Sequence, residues 1–389
     1  MCKVCTLKEF EAYNTHRGTT MLRKFSVENF KNFQTKIVWD LSAPANYEFS
    51  QECIDNGIVS KGAIYGINGV GKSNFGRAIF DIVNSLTDKA KELDKYIPFL
   101  NLNSKKQYAS FEYEFLFDGS VLTYRYQKQD VNTLLEESLS IDGKEMLFYD
   151  FRSRSGFSNF PGSENLNLND NSFISRVKFV MNSAILDESN HDNHVLILFK
   201  RFLNGMLLFY SLRENGFIGF HEKGANIEDI IVSAGKTKDF EAFLNRTGLD
   251  LTLVDRVSPE GKRIYIKYKN GEVPFFMVAS TGMCSLILLY SWLISIDDCS
   301  FVFIDEFDAF YHHELARLIV EEFLHHKGIQ FFTTTHNTDL MSNDLLRPDT
   351  YFILDEHGIK ALNHCTERDL RFAHNLQKMY KAGAFTTND

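Results

Sequence analysis

The chain has 389 residues, of which 44% are apolar and 24% charged, and it carries a formal net charge of −9. This composition excludes a disordered polypeptide and gives enough length for two or three domain-sized units. The acidic balance argues against a broad nucleic-acid face, which needs a basic surface, although a local basic groove can sit within an acidic average.

Residues 1–20 read as an N-terminal extension. They contain Cys2 and Cys5, a lone CxxC that is half a zinc site with no further ligands nearby, and the other four cysteines are too scattered for a disulfide framework. Met21 opens the first strand, "MLRKFSVENFKNF", in which Phe25 and Val27 alternate with polar neighbours, and it is a second candidate start. Next, "GAIYGINGVGKSNFGRAIFDIV" places an apolar strand before Gly66-x-x-Gly69-x-Gly71-Lys72-Ser73 and a helical pattern of Phe75, Ile79, Phe80 and Ile82. This is P-loop spacing in the strand-loop-helix context that the motif requires. Backbone N–H groups turned inward by the glycines, together with a helix N-terminus, cradle phosphates, while Lys72 reaches the β- and γ-phosphates and Ser73 ligates Mg²⁺. The nucleotide set is Gly66, Asn68, Gly69, Val70, Gly71, Lys72, Ser73 and Asn74; Lys31 and Asn32 are guesses for the adenine contact.

Residues 105–150 are strand-rich, with a hairpin about Asp118-Gly119. Residues 151–275 are expected to form a mixed, mainly helical insertion. Then "EVPFFMVASTGMCSLILLYSW" sets Ser280-Thr281-Gly282 between two apolar runs, with a helix expected over 281–295 and Ser280 as its N-cap. Its longest apolar stretch, Leu286 to Leu293, is far short of the ~20 residues of a membrane span. The absence of an apolar leader completes a cytoplasmic reading.

Two further apolar strands end in polar groups. Phe301 to Ile304 runs into Asp305-Glu306, where Asp305 can hold Mg²⁺ through water and Glu306 can orient or deprotonate the attacking water; acidic pairs also cap helices. The following helix carries Leu315, Leu318, Ile319 and Phe323 on one stripe, with Glu314, Arg317 and Glu321 outside. "IQFFTTTHNTDL" ends in Thr335-His336-Asn337, which sets His336 beside the γ-phosphate; a lone strand-end histidine is more commonly structural.

In this order the motifs resemble the ABC-type ATPase heads of the SMC, RecF and OLD group: "GINGVGKSN", Asp305-Glu306, and the switch histidine in "TTHN". The resemblance implies an α/β P-loop NTPase with a mixed central sheet and an antiparallel β subdomain. Lobe I would span 21–150 and lobe II 276–389. It also assigns Ser280 and Gly282 to a shortened Ser-x-Gly signature, which would bind ATP held by a second subunit. By the same resemblance Asp308 falls on the dimer-facing loop. "DEFDAFYHHEL" and "DLRFAHNLQKMYKAGAF" look like short bacterial abortive-infection and anti-phage ATPases of the AbiL and PARIS types, though His313 replaces the proline that follows the histidine matched by His312. The reading implied is an ATP- and Mg²⁺-dependent homodimer or higher homo-oligomer that controls a separate nuclease-like effector, with no membrane partner. A RecF-like repair ATPase is the alternative, disfavoured by the acidic charge and the missing coiled-coil arms. A transporter subunit is disfavoured by the shortened signature.

Overall fold

The computed structural model describes residues 18–89, 93–169, 174–211, 216–219, 226–258, 261–306 and 313–385. The chain opens with β1 (Thr20–Glu28) and β2 (Ile37–Asp40), then passes through β3 (Lys61–Tyr65) into α1 (Lys72–Ile79) and α2 (Asp81–Leu86). A meander follows: β4 (Ala109–Phe117), β5 (Ser120–Lys128), β6 (Leu134–Ile141), β7 (Lys144–Asp150) and β8 (Ser155–Ser158). Beyond it lie α3 (Arg176–Ser183), α4 (His191–Asn204), β9 (Met206–Ser211), β10 (Gly216–Ile218), α5 (Ile227–Ser233) and α6 (Thr237–Arg246). A small sheet is formed by β11 (Leu253–Ser258), β12 (Gly261–Tyr268) and β13 (Gly271–Pro274). The C-terminal part contains α7 (Thr281–Leu293), β14 (Phe301–Ile304), α8 (His313–Leu324), β15 (Gln330–Thr334), β16 (Tyr351–Leu354), β17 (Ile359–Ala361) and α9 (Leu376–Lys381).

Two seven-stranded sheets organise these elements, one antiparallel in the order β8-β7-β6-β5-β4-β1-β2 and one central in the order β10-β9-β14-β15-β3-β16-β17. In the central sheet β9, β14, β15, β3 and β16 pair in parallel, and antiparallel strands close both edges. Its strands are apolar without alternation because both faces are covered. Ile64, Phe303, Phe332 and Phe352 face a core shared with α1 and the antiparallel sheet. Ala63, Tyr65, Val302, Ile304 and Phe331 face a second core built on α7. The antiparallel sheet instead alternates: Phe111, Tyr113, Phe115 and Phe117 are buried, while Glu112 and Glu114 lie on the wetter face. Asp118 and Gly119 form the expected two-residue turn, with φ of 50° and 91°, and Asp142 and Gly143 repeat it at 48° and 80°.

Four expectations are corrected. Residues 151–275, expected as a mixed, mainly helical insertion, contribute strands to both large sheets: β8 extends the antiparallel one and β9 pairs with β14 inside the central one. Short-range pattern does not reveal which sheet a strand joins. The helix after the P-loop breaks at Phe80, which leaves Asp81 to start α2. Leu318, placed on the apolar stripe of α8, is 40% exposed, whereas Ile319 and Phe323 are buried. The helix after Ser280 ends at Leu293. No helix among the described residues is long and apolar enough to cross a membrane.

Candidate active site

The loop between β3 and α1 has a conformation that favours glycine. Gly69 and Gly71 have φ of 80° and 107°, values that side chains rarely allow. A Cβ on Gly71 would lie 2.2 Å from Asn32 Nδ2, and one on Gly66 would lie 2.5 Å from the Leu354 carbonyl oxygen. Helix α1 starts at Lys72 without a side-chain cap, so its first N–H groups are open to an anion.

Lys72 is 6% exposed. Its Nζ donates to the carbonyls of Gly66 at 2.9 Å and Ile67 at 3.3 Å, and lies 2.7 Å from His336 Nε2. With Lys72 as an ammonium, which can only donate, Nε2 would be the acceptor and the His336 proton would sit on Nδ1. Lysine and histidine, 264 positions apart in the chain, meet because β15 is the parallel neighbour of β3.

The strand on the other side of β15 is β14, which carries the acidic pair. Asp305 is 6% exposed. Its backbone N–H donates to the Phe209 carbonyl at 2.8 Å, and its Oδ1 accepts from Thr334 Oγ1 at 2.6 Å. The second carboxylate oxygen receives no hydrogen bond from the described residues, which leaves it for an outside ligand. Glu306 is exposed, has φ of 48°, and donates its N–H to the same Thr334 oxygen at 2.8 Å.

Asn32 braces the P-loop. Its Nδ2 donates to the Val70 carbonyl at 2.8 Å, and its Oδ1 accepts from Asn74 Nδ2 at 2.7 Å. Asn74, expected to contact nucleotide, is tied in this way to Asn32 and to Arg77. Lys31 Nζ donates to the Pro98 carbonyl at 3.3 Å, and burial, with a smaller contribution from Arg77, lowers its pKa to about 8. Asn68 and Gly69 are exposed at the loop tip, with Ser73 half-buried at the helix start.

Ser280 is the N-cap of α7, its Oγ accepting from the Met283 N–H at 3.3 Å, and Gly282 lies in the first turn. A helix cap and an anion-binding signature share this local structure. Just before it, Phe276, Met277 and Val278 are 42%, 77% and 46% exposed. Asp308 and His312, like Cys2 and Cys5, lie outside the described residues.

A Mg²⁺ ion fits the donors at hand. No group of three His, Cys, Asp or Glu that could cage a metal occurs among the described residues. Ser73 and the open oxygen of Asp305 are hard oxygen donors of the kind that hold Mg²⁺ together with substrate phosphates. Sequence reasoning missed Thr334 and the bracing role of Asn32. The unusual threonine run of "TTTHN" was the available signal for the first, and nothing local marks the second.

The P-loop strand, the acidic strand and the histidine strand stand side by side, as an ABC-type P-loop ATPase head requires. A family model described as "AAA domain, putative AbiEii toxin, Type IV TA system" matches residues 63–342, well over half of the chain. The chain belongs to this AAA-domain family. No curated protein matches it significantly. Among solved structures it is similar to an SMC head bound to the C-winged helix domain of ScpA, at 15% identity over 87% of this chain and 96% of that one, with a TM-score of 0.48. The SMC head domain from Thermotoga maritima matches at 15% identity over 85% and 94% of the two chains, TM-score 0.42. The recombination mediator RecF matches at 14% identity over 89% and 99%, TM-score 0.40.

Proposed function

We propose that this chain is a Mg²⁺-dependent ATPase that closes as a homodimer around ATP and thereby controls a separate effector, nuclease-like in class, in a bacterial anti-phage response. The observation that carries the ATPase reading is the convergence of Lys72, Asp305, Glu306 and His336 at the C-terminal ends of three adjacent central strands, with Lys72 Nζ 2.7 Å from His336 Nε2. Lys72 already directs its charge into the loop through the Gly66 and Ile67 carbonyls, and phosphate oxygens would take over as acceptors. Ser73 and Asp305 would hold Mg²⁺, which when bound neutralises the charge that develops on the phosphates. Glu306 orients the attacking water and accepts its proton, and His336 Nδ1–H supplies a hydrogen bond to the transferred phosphoryl group.

The dimer reading is supported by the exposed cap at Ser280 and by the apolar Phe276, Met277 and Val278 beside it, which a second copy would cover. The words of the family description, "putative AbiEii toxin, Type IV TA system", support a part in a toxic response.

Complementation tests the composite site. Lys72→Ala and Ser280→Arg lesion opposite halves of each shared site, so each homodimer is expected to be inactive. After subunit exchange half the dimers are mixed, each with one intact site, and about a quarter of wild-type hydrolysis should return. No recovery, with a monomer that hydrolyses ATP at every concentration, would leave Ser280 as a helix cap alone. Co-purification of the tagged chain from its host tests the effector: a nuclease-like partner supports it, whereas DNA or a permease would replace it.

A further inference from the structure

Two atoms of the acidic loop converge on one buried hydroxyl. Thr334, the last residue of β15, has 0% exposure. Its Oγ1 donates its only proton to Asp305 Oδ1 at 2.6 Å and accepts the Glu306 N–H at 2.8 Å. The sheet does not do this itself, because the pairing of β14 with β15 ends at Ile304 and Thr333, and the acidic pair lies past the ladder. There Glu306 turns into the left-handed region, at φ of 48°, a conformation that persists in a non-glycine residue only when its surroundings hold it. Thr334 is itself paired with Ile64 on the P-loop strand. Its hydroxyl therefore ties the Asp305 carboxylate and the Glu306 backbone to the strand that leads into the P-loop.

We propose that Thr334 is a positioning residue for ATP hydrolysis, a proposal that rests on the ATPase reading above. One hydrogen bond orients the Asp305 carboxylate and leaves its second oxygen open for the Mg²⁺ that it would hold. The other fixes the turn from which the Glu306 side chain reaches the attacking water. The neighbouring Thr333 provides an internal comparison, since it is equally buried but its Oγ1 donates only to backbone, to the Ile304 carbonyl at 3.0 Å and towards the Thr334 carbonyl at 3.3 Å.

Thr334→Val keeps the shape and deletes the hydroxyl, Thr334→Ser keeps the hydroxyl, and Thr333→Val deletes the neighbouring one. In Thr334→Val, turnover is expected to fall about 10- to 100-fold and the Mg²⁺ concentration for half-saturation to rise by a similar factor, the usual cost of losing a partner that orients a metal ligand. The KM for ATP should change little, because the P-loop is intact. Thr334→Ser should restore most of the turnover, and Thr333→Val should lose none. Without nucleotide, exchange of the Glu306 amide hydrogen should accelerate in Thr334→Val alone. Should valine prevent folding, Thr334→Cys, with a thiol that donates weakly, takes its place.

Wild-type turnover and Mg²⁺ dependence in Thr334→Val would overturn the proposal while the ATPase reading stands. So would a loss that Thr333→Val matches and that tracks the melting temperature. A wild-type chain that neither binds nor hydrolyses MgATP would overturn both.

Discussion

The central parallel sheet has two ends, and both are rich in buried polar side chains, but they are finished differently. At the N-terminal end of its strands Gln330, Lys61 and Ser300 each bond to the chain's own backbone. Gln330 Oε1 accepts the Leu22 N–H at 2.6 Å, and its Nε2 donates to the Leu22 and Val59 carbonyls at 2.9 and 3.2 Å, patching the irregularity where β1 skips register between Leu22 and Lys24. Lys61 Nζ donates to the Ile329 carbonyl, and Ser300 Oγ to that of Phe202. At the C-terminal end, one Asp305 oxygen and the Glu306 carboxylate carry no partner among the described residues. Buried polarity that is complete holds the chain together, whereas incomplete polarity at a strand end is available for chemistry.

Substitutions at the two ends should therefore separate stability from activity. The largest effect is expected at the satisfied end: Gln330→Leu strands the Leu22 N–H and C=O, at about 1–3 kcal/mol for each orphaned group. Urea unfolding should show the loss, while ATP turnover per folded molecule stays normal. At the open end, Glu306→Gln should lower turnover by ~10²-fold or more, equivalent to roughly 2.7 kcal/mol of barrier, with ATP affinity and melting temperature unchanged. Wild-type turnover in that variant would remove Glu306 from its role.

Lys61 gives a pH signature. Burial lowers its pKa to about 8, with Asp55 opposing the shift, so the folded state disfavours the charged form. Because the folded pKa lies below the unfolded one, stability from this group is present above the unfolded value near 10.5 and is lost as pH falls through 8. Lys61→Met should therefore stabilise at pH 7 by about 2 kcal/mol, the desolvation gain less one hydrogen bond, and the gain should vanish as pH rises past that range. A pH-independent difference would contradict the assignment. The smallest effect is Ser280→Ala, which removes the cap of α7 and should cost about 1 kcal/mol in thermal unfolding. An activity loss far beyond that would show that Ser280 does more than cap.

Much of the site was legible because its chemistry is local. Gly66, Gly69, Gly71, Lys72 and Ser73 are contiguous, and the positive φ at two of the glycines is a constraint that sequence records directly. Asp305-Glu306 and His336 were legible for a related reason, since an uninterrupted apolar strand that stops at a polar group marks the end of a sheet covered on both faces. Lys31 and Asn32 were harder. A polar pair after a strand has many uses, and only the fold shows Asn32 spending its side-chain amide on Val70 and Asn74.

What the sequence by itself determined was therefore the set of elements with short-range signatures: the phosphate loop, the apolar strands, the Asp118-Gly119 hairpin and the Ser280 cap. Each follows from backbone sterics or from burial repeated over a few residues. Only the tertiary structure decided that β9 from the supposed insertion lies beside β14, that Lys72 meets His336, and that Thr334 reaches both Asp305 and Glu306. Strand order brings these groups together across separations of 28 to 264 residues. No local pattern encodes that order, because any apolar strand can pair with any other until packing of the whole sheet selects its neighbours.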